Sequence, residues 1–219
     1  MMKNIIIIGS GAVAAELTSF IEDTEMGQVQ DIQIKGYLDY DENIEKYWKR
    51  YNLQKPVLAD IDSYEIQDND YFIIAISDVE FRKKMYNKIK EKQGKFFNFI
   101  HPSTIIAKNA SLGEANIIYP QCIVGSNTMI GDFNLLTSQT IVSHDSVLGF
   151  NNILSTALLC GHVKMGDDNY FGIRATVVPH INIGNRNTIQ AGMIVNKKID
   201  DNSTVFYRYK EKMMAIPQL

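Results

Sequence analysis

From Ile106 to Val195 the chain keeps a period of six residues. Ile106, Leu112, Ile118, Val124, Ile130, Leu136, Val142 and Leu148 fall on one frame. After a shift of one residue, Met165, Phe171, Val177, Ile183, Ile189 and Val195 continue it. All are large and apolar. The next residue is often small (Ala107, Gly113, Gly125, Gly131, Gly149, Gly166, Gly172, Gly184), and the fourth after the frame is compact (Ala110, Cys122, Thr128, Thr140, Ser146, Asn169, Ala175). A helix repeats every 3.6 residues and a half-buried strand every two, so neither accounts for the pattern. A parallel β-helix does. Each hexapeptide forms one flat side of a triangular coil, three complete a turn, and the frame residue points into the prism. The stretch then holds about five coils. The small residue beside the frame is expected to let the backbone bend at the corner, where glycine tolerates φ > 0. One coil cannot bury its own apolar face, so the coils must stack. Antiparallel hairpins would not hold such a register for so long.

The first hundred residues carry a different pattern. The β-branched run that ends at Ile8 marks a strand buried on both faces. It leads into Gly9-Ser10-Gly11-Ala12-Val13-Ala14 and an amphipathic helix through about Glu22. Strand, glycine turn and helix open a Rossmann-like unit. The GxGxxA turn allows a phosphate or ribose to approach the backbone, and the helix N-terminus favours an anion. A tight turn without a ligand is the alternative. A second strand, Asp31 to Asp39, ends where an acidic residue would meet a ribose. Strand Tyr71 to Ile76, then Ser77-Asp78, a charged helix from Val79 to Glu91, and a last strand from Phe96 to Ile100 complete the unit. About four parallel strands make half a dinucleotide fold, suited to a mononucleotide-sized ligand. The lysine-rich run from Lys83 to Lys95 reads as a solvated helix face. His101-Pro102-Ser103 marks the boundary, because proline disfavours continued regular structure at the preceding residue. Two domains result, 1–100 and 101–219. The tail from Asp200, with a strand-like piece from Ser203 to Tyr209, is expected to cap the last coil.

Composition narrows the partners. A formal net charge of −3 argues against nucleic acid as the main ligand. Cys122 and Cys160 belong to no metal pattern and read as buried small hydrophobes. Ile5 to Ile8 is too short for a signal-peptide core, and no stretch approaches the ~20 apolar residues of a membrane span. The expected compartment is the cytoplasm.

Of the four histidines, His101 sits at the domain junction, where packing is natural. His144 and His162 fall near coil corners with outward side chains expected. Only His144 is followed directly by a carboxylate, Asp145, and that pairing can orient an imidazole and raise its basicity. His162 and His180 have no acidic neighbour in sequence. No GxSxG, P-loop or HExxH motif occurs. If the chain is an enzyme, direct transfer promoted by a base, without a covalent intermediate, is the chemistry these residues suit.

Six blocks then carry a resemblance over nearly the whole chain: IIIIGSGAVAAE, GYLDYD, FIIAISDVEFRKKMY, NFIHPSTIIAKNASLG, VSHDSVLG and YFGIRATVVPHINIG. In their order and spacing the sequence resembles hexapeptide acyltransferases of the sialic-acid O-acetyltransferase type. Within that family it is most similar to the N-acetyltransferases of nucleotide-linked 4-amino-4,6-dideoxy sugars. The resemblance implies a small Rossmann-like parallel-sheet domain followed by a left-handed parallel β-helix. It implies a homotrimer with acetyl-CoA as co-substrate between neighbouring β-helices; no metal is expected. His144 would be the proton acceptor and Asp145 the group that enhances its basicity. Coenzyme contacts would fall on Asn152, Ile173 and Ala191. Sugar-nucleotide contacts would fall on Gly11, Ala12, Val13, Asp39, Tyr40, Ser77 and Asp78. The chain departs from the family pattern in the GSGAVA turn, at Ser77, and at Arg208 to Lys212, which replace a G-x-P-A-K segment. The one-residue shift is expected to reshape the coenzyme pocket beside Asn152. Sugar O-acetylation and a non-catalytic trimeric scaffold are the alternative functions.

Overall fold

A computed structural model describes residues 2–23 and 31–207. The first sheet is parallel, with the order β3-β2-β1-β4-β5. Its strands are β1 (Lys3–Ile8), β2 (Ile32–Leu38), β3 (Val57–Ala59), β4 (Asp70–Ile74) and β5 (Lys95–Phe96). Ile5 to Ile8 are buried, as a central strand covered on both faces requires. Helix α1 (Ala12–Asp23) follows β1, and α2 (Val79–Glu91) follows β4. The Asp78 carboxylate caps α2 by accepting from Phe81 N at 2.8 Å. The chain leaves β1 toward β2 on one side and lies beside β4 on the other. That is the switch point at which such sheets open a crevice. Edge strand β3 and the helical segment Asp41–Trp48 carry no periodic signal, and neither was expected from the sequence. The predicted strand from Phe96 to Ile100 is divided. Lys95–Phe96 closes the first sheet, while Phe99–Ile100 pairs with Ile117–Ile118 and opens the next unit.

That unit is a left-handed parallel β-helix with three faces. Face one stacks Ile105–Ile106, Ile123–Val124, Ile141–Val142, Leu158–Leu159, Thr176–Val177 and Ile194–Val195. Face two runs from Ser111–Leu112 to Asn182–Ile183. Face three runs from Phe99–Ile100 to Thr204–Val205, so the start of the tail covers the last coil. The remainder of the tail, including Arg208 to Lys212, lies outside the described residues. The frame residues form one buried core through the prism.

The corners depart from expectation. The residues with left-handed φ are not the frame glycines but those three positions after the frame, among them Asn127, Asp145, His162, Arg174 and His180. The glycines serve close stacking instead. A Cβ at Gly125 would lie 2.5 Å from His144 N, and one at Gly172 would lie 2.6 Å from Ala191 N. The shift in frame is also localised. Val124 pairs with Val142, eighteen residues on, whereas Leu148 pairs with Met165, only seventeen on. The missing residue falls in the corner Ser155-Thr156-Ala157, where left-handed φ steps from Asn151 to Thr156.

Inside another corner Asn116, Asn134, Asn152 and Asn169 form a buried ladder. Each side-chain carbonyl accepts from the next coil at 2.8–3.2 Å. Face three also carries outward apolar residues, and Ile117, Leu135 and Ile153 pack into one cluster with Ile5, Ala14 and Leu17 of the first unit. Beside them Arg82 of α2 is wholly buried. Nη2 donates to Phe133 O at 2.7 Å, Nη1 to Ile76 O at 3.2 Å and Nε to Asn151 Oδ1 at 3.2 Å, with the guanidinium 4.1 Å from the Phe133 ring centre. Lys83 pairs with the buried Asp168 at 2.5 Å. The lysine-rich helix is therefore a docking surface as well as a solvated one.

Candidate active site

Two places gather the residues expected to act. The first is a cavity of about 400 Å³ at the carboxyl ends of β1, β2 and β4. It is bordered by the glycine turn, Asp39, Asn43, Tyr47, Tyr51, Ser77 and Phe81. Gly9 takes φ 94°, which glycine alone adopts without strain. Of the residues implied as nucleotide contacts, Gly11, Ala12, Val13, Asp39 and Ser77 border the cavity. Tyr40 faces a small void beneath it with Ile61 and Met85, and Asp78 is committed to capping α2. The Asp39 carboxylate is itself engaged. It accepts from Ser10 N at 2.8 Å, Ser10 Oγ at 2.5 Å, Tyr40 N at 2.8 Å and Asn43 Nδ2 at 2.7 Å. It thus ties the glycine turn to the segment after β2 and fixes the cavity wall.

The second place is the corner between faces one and two. His144 Nδ1 lies 2.7 Å from Asp145 Oδ2. A carboxylate can only accept, so Nδ1 carries the proton and Nε2 is left with its lone pair free. Asp145 adopts φ 57° and accepts a second bond from Asn127 Nδ2 at 2.7 Å. The donors of Asn127 and His144 hold the Asp145 carboxyl below the usual carboxylate range. It stays ionised and keeps the imidazole in one tautomer.

Coil stacking supplies two residues that sequence adjacency did not reveal. Gly161 lies against the His144 ring, and a Cβ there would come within 2.6 Å of Cε1 and 2.7 Å of Nε2. His162 stacks over Asp145, with Nε2 3.7 Å from Oδ2, and its ring lies parallel to that of His180 at 4.5 Å. Both follow from the coil spacing only once the intervening coil is known to hold seventeen residues. Gly161→Ala is expected to leave the fold intact, because the clash is with a movable side chain, and to turn the His144 ring aside. Misplacement of a catalytic group by about 1 Å costs on the order of 10²-fold in rate. A thermal melt combined with turnover checks this, and full activity in a folded variant would remove Gly161 as the seat of His144.

Ile173 is 60% exposed and Ala191 is exposed. They stack on adjacent coils, with Gly192 N donating to Ile173 O at 2.8 Å, at the corner between faces three and one. That is a different corner from the one bearing His144. Asn152 must be withdrawn as a coenzyme contact. It is fully buried, its Nδ2 donates to Asn134 Oδ1 and Gly166 O, and its Oδ1 accepts from Asn169. His101 packs edge-on against Phe20 and bonds Ser103, as a junction residue would. Cys122 is buried, which pushes its thiol up to about 11 and leaves it inert.

A glycine-turn parallel sheet joined to a β-helix with a corner histidine–carboxylate pair defines the class. Comparison with known proteins gives it closer relatives. Residues 4–89 match the PglD N-terminal domain. The UDP-N-acetylbacillosamine N-acetyltransferase of Bacillus subtilis is 27% identical over 119 residues, 53% of this chain. The match spans about half the length of that relative, 51%. PerB from Caulobacter crescentus, solved in complex with CoA and GDP-perosamine, superposes with a TM-score of 0.80 at 24% identity, covering 93% of this chain and 94% of that one. The acetyltransferase domain of PglB from Neisseria gonorrhoeae gives 0.79 at 17% identity, covering 92% and 95%. The fold of this chain is theirs, and the resemblance read from the sequence blocks is borne out.

Proposed function

We propose that the chain is an acetyl-CoA-dependent N-acetyltransferase acting on the amino group of a nucleotide-linked amino-deoxy sugar, with His144 as general base. The observation that carries this reading is the His144–Asp145 pair at 2.7 Å on a β-helix corner, with the His144 side chain 58% exposed. A sugar ammonium transfers one proton to Nε2. The neutral amine attacks the thioester carbonyl, the C–S bond breaks, and the thiolate leaves. The second nitrogen proton departs as the amide forms, and the thiolate is protonated to coenzyme A. Holding amine and thioester together supplies much of the remaining acceleration. The cavity at the glycine turn is of a size for a nucleotide, and the relatives PerB and PglB were solved with CoA and GDP-perosamine and with acetyl coenzyme A, respectively.

A homotrimer completes the site. Outward residues of face one, Ile105, Ile123 and Ile194, are exposed and apolar, which suits burial against another copy. Such packing would bring the Ile173–Ala191 corner of one protomer toward the His144 corner of its neighbour, with the coenzyme between them. None of the described helices is long and apolar enough to cross a membrane. A cytoplasmic location fits both proposed substrate classes.

Release of free thiol from acetyl-CoA, assayed against a panel of nucleotide-linked amino sugars and hydroxyl acceptors such as sialic acid, tests the reading. Release with an amino sugar alone is expected. Release only with hydroxyl acceptors would make the chain an O-acetyltransferase, and none with any acceptor would leave a trimeric scaffold.

A further inference from the structure

We propose that His144, Asp145 and His162 form a binding site for a zinc-class divalent cation, and that the bound ion switches the base off. One ligand atom from each of His144, Asp145 and His162 lies within 4.8 Å of the other two, and Asp145 Oδ2 is approached by His144 Nδ1 at 2.7 Å and by His162 Nε2 at 3.7 Å. The His162–Asp145 separation of 3.7 Å is too long for a hydrogen bond. It is close to the spacing of about 3.4 Å that two ligands keep on a tetrahedral ion bound at about 2.0–2.2 Å. His144 Nδ1 and Asp145 Oδ2, at 2.7 Å, need only part slightly once the proton between them gives way to the ion. The His162 ring is held for the task. It stacks on His180 with an interplanar angle of 8°, and its backbone N–H donates to His144 O at 3.0 Å. Two imidazoles and a carboxylate favour zinc, cobalt, nickel or copper over magnesium or calcium. The His144 and His162 side chains are 58% and 47% exposed, so water can fill the fourth position.

The consequence is chemical. A neutral imidazole that binds the ion through Nδ1 must carry its proton on Nε2. Binding therefore moves the proton from Nδ1 to Nε2 without losing it, and the nitrogen that faces the acceptor becomes a donor. It can no longer take a proton from an ammonium. This inhibition rests on the function proposed above, whereas binding of the ion does not.

The test uses the tag-free, full-length chain stripped of metal with EDTA and dialysed. Zinc titration by calorimetry is expected to give one ion per chain, and cobalt(II) to give the intense visible bands of a tetrahedral site. His162→Asn is expected to weaken zinc binding by more than about tenfold, since losing a ligand exceeds the loss of a supporting contact. The same variant should resist zinc at concentrations that inhibit the parent, read as the ratio of its own acetyl transfer with and without the ion. A thermal melt confirms that it is folded. Absence of binding to the parent, or equal binding to the variant, overturns the site. If neither protein transfers an acetyl group, the proposed function fails while the calorimetric comparison still decides the site.

Discussion

Replacing His144 by asparagine is expected to lower acetyl transfer by about 10²–10⁴-fold, the usual contribution of a positioned general base. Asparagine keeps a polar group beside Asp145 but offers no basic nitrogen in the place of Nε2. Coenzyme binding should persist, because the proposed contacts Ile173 and Ala191 lie at another corner of the prism. Steady-state kinetics with the acceptor found in the thiol-release screen, together with calorimetry of CoA, separates the two effects. Unchanged turnover would remove His144 from the mechanism.

The largest effect on stability is expected at Arg82. Burial pushes its guanidinium down to about 9, still charged at neutral pH, and no carboxylate pairs with it among the described contacts. Its charge is met by two carbonyls, one side-chain amide oxygen and the face of Phe133. Arg82→Ala strands all three acceptors in the interface and leaves a void. Each buried acceptor left without a donor costs about 1–3 kcal/mol, so a loss of about 3–5 kcal/mol is expected. For a chain of this length that corresponds to a fall in melting temperature of about 10 °C. Arg82→Lys is expected to rescue little, since one ammonium cannot span three acceptors in a plane. A loss below about 1 kcal/mol in denaturant titration would show that the apolar contacts of face three alone hold the two units together.

Much of this architecture was legible because it is periodic. The six-residue frame placed the inward residues of the prism, and α2 falls on Val79–Glu91 as its charge pattern indicated. Non-periodic parts were not legible. Strand β3 is three residues long, and the Asp41–Trp48 segment packs only a partly apolar face. Asn152 was misassigned for a physical reason. The resemblance carried a coenzyme contact onto this position, whereas here the asparagine belongs to a ladder in which each amide satisfies the next and which runs inside the prism. The glycines were rightly marked as special and wrongly explained, since coil contact rather than φ demands them. At the candidate site the local pair His144-Asp145 could be read, but Gly161 and His162 could not, because their relation to it depends on how long the intervening coil is.

That length has a further consequence. In a coil of eighteen residues His162 would lie over His144, two imidazoles competing for one place. The deletion at Ser155-Thr156-Ala157 advances every later residue by one position, so that Gly161 falls over His144 and His162 over Asp145. One missing backbone unit, more than ten ångströms of contour upstream of Gly161, thus decides which residue lies against His144. Substitutions tune such a site within a fixed register, whereas a change of loop length exchanges its neighbours outright. For this β-helix, an insertion or deletion in a corner is therefore a change in the composition of the candidate site.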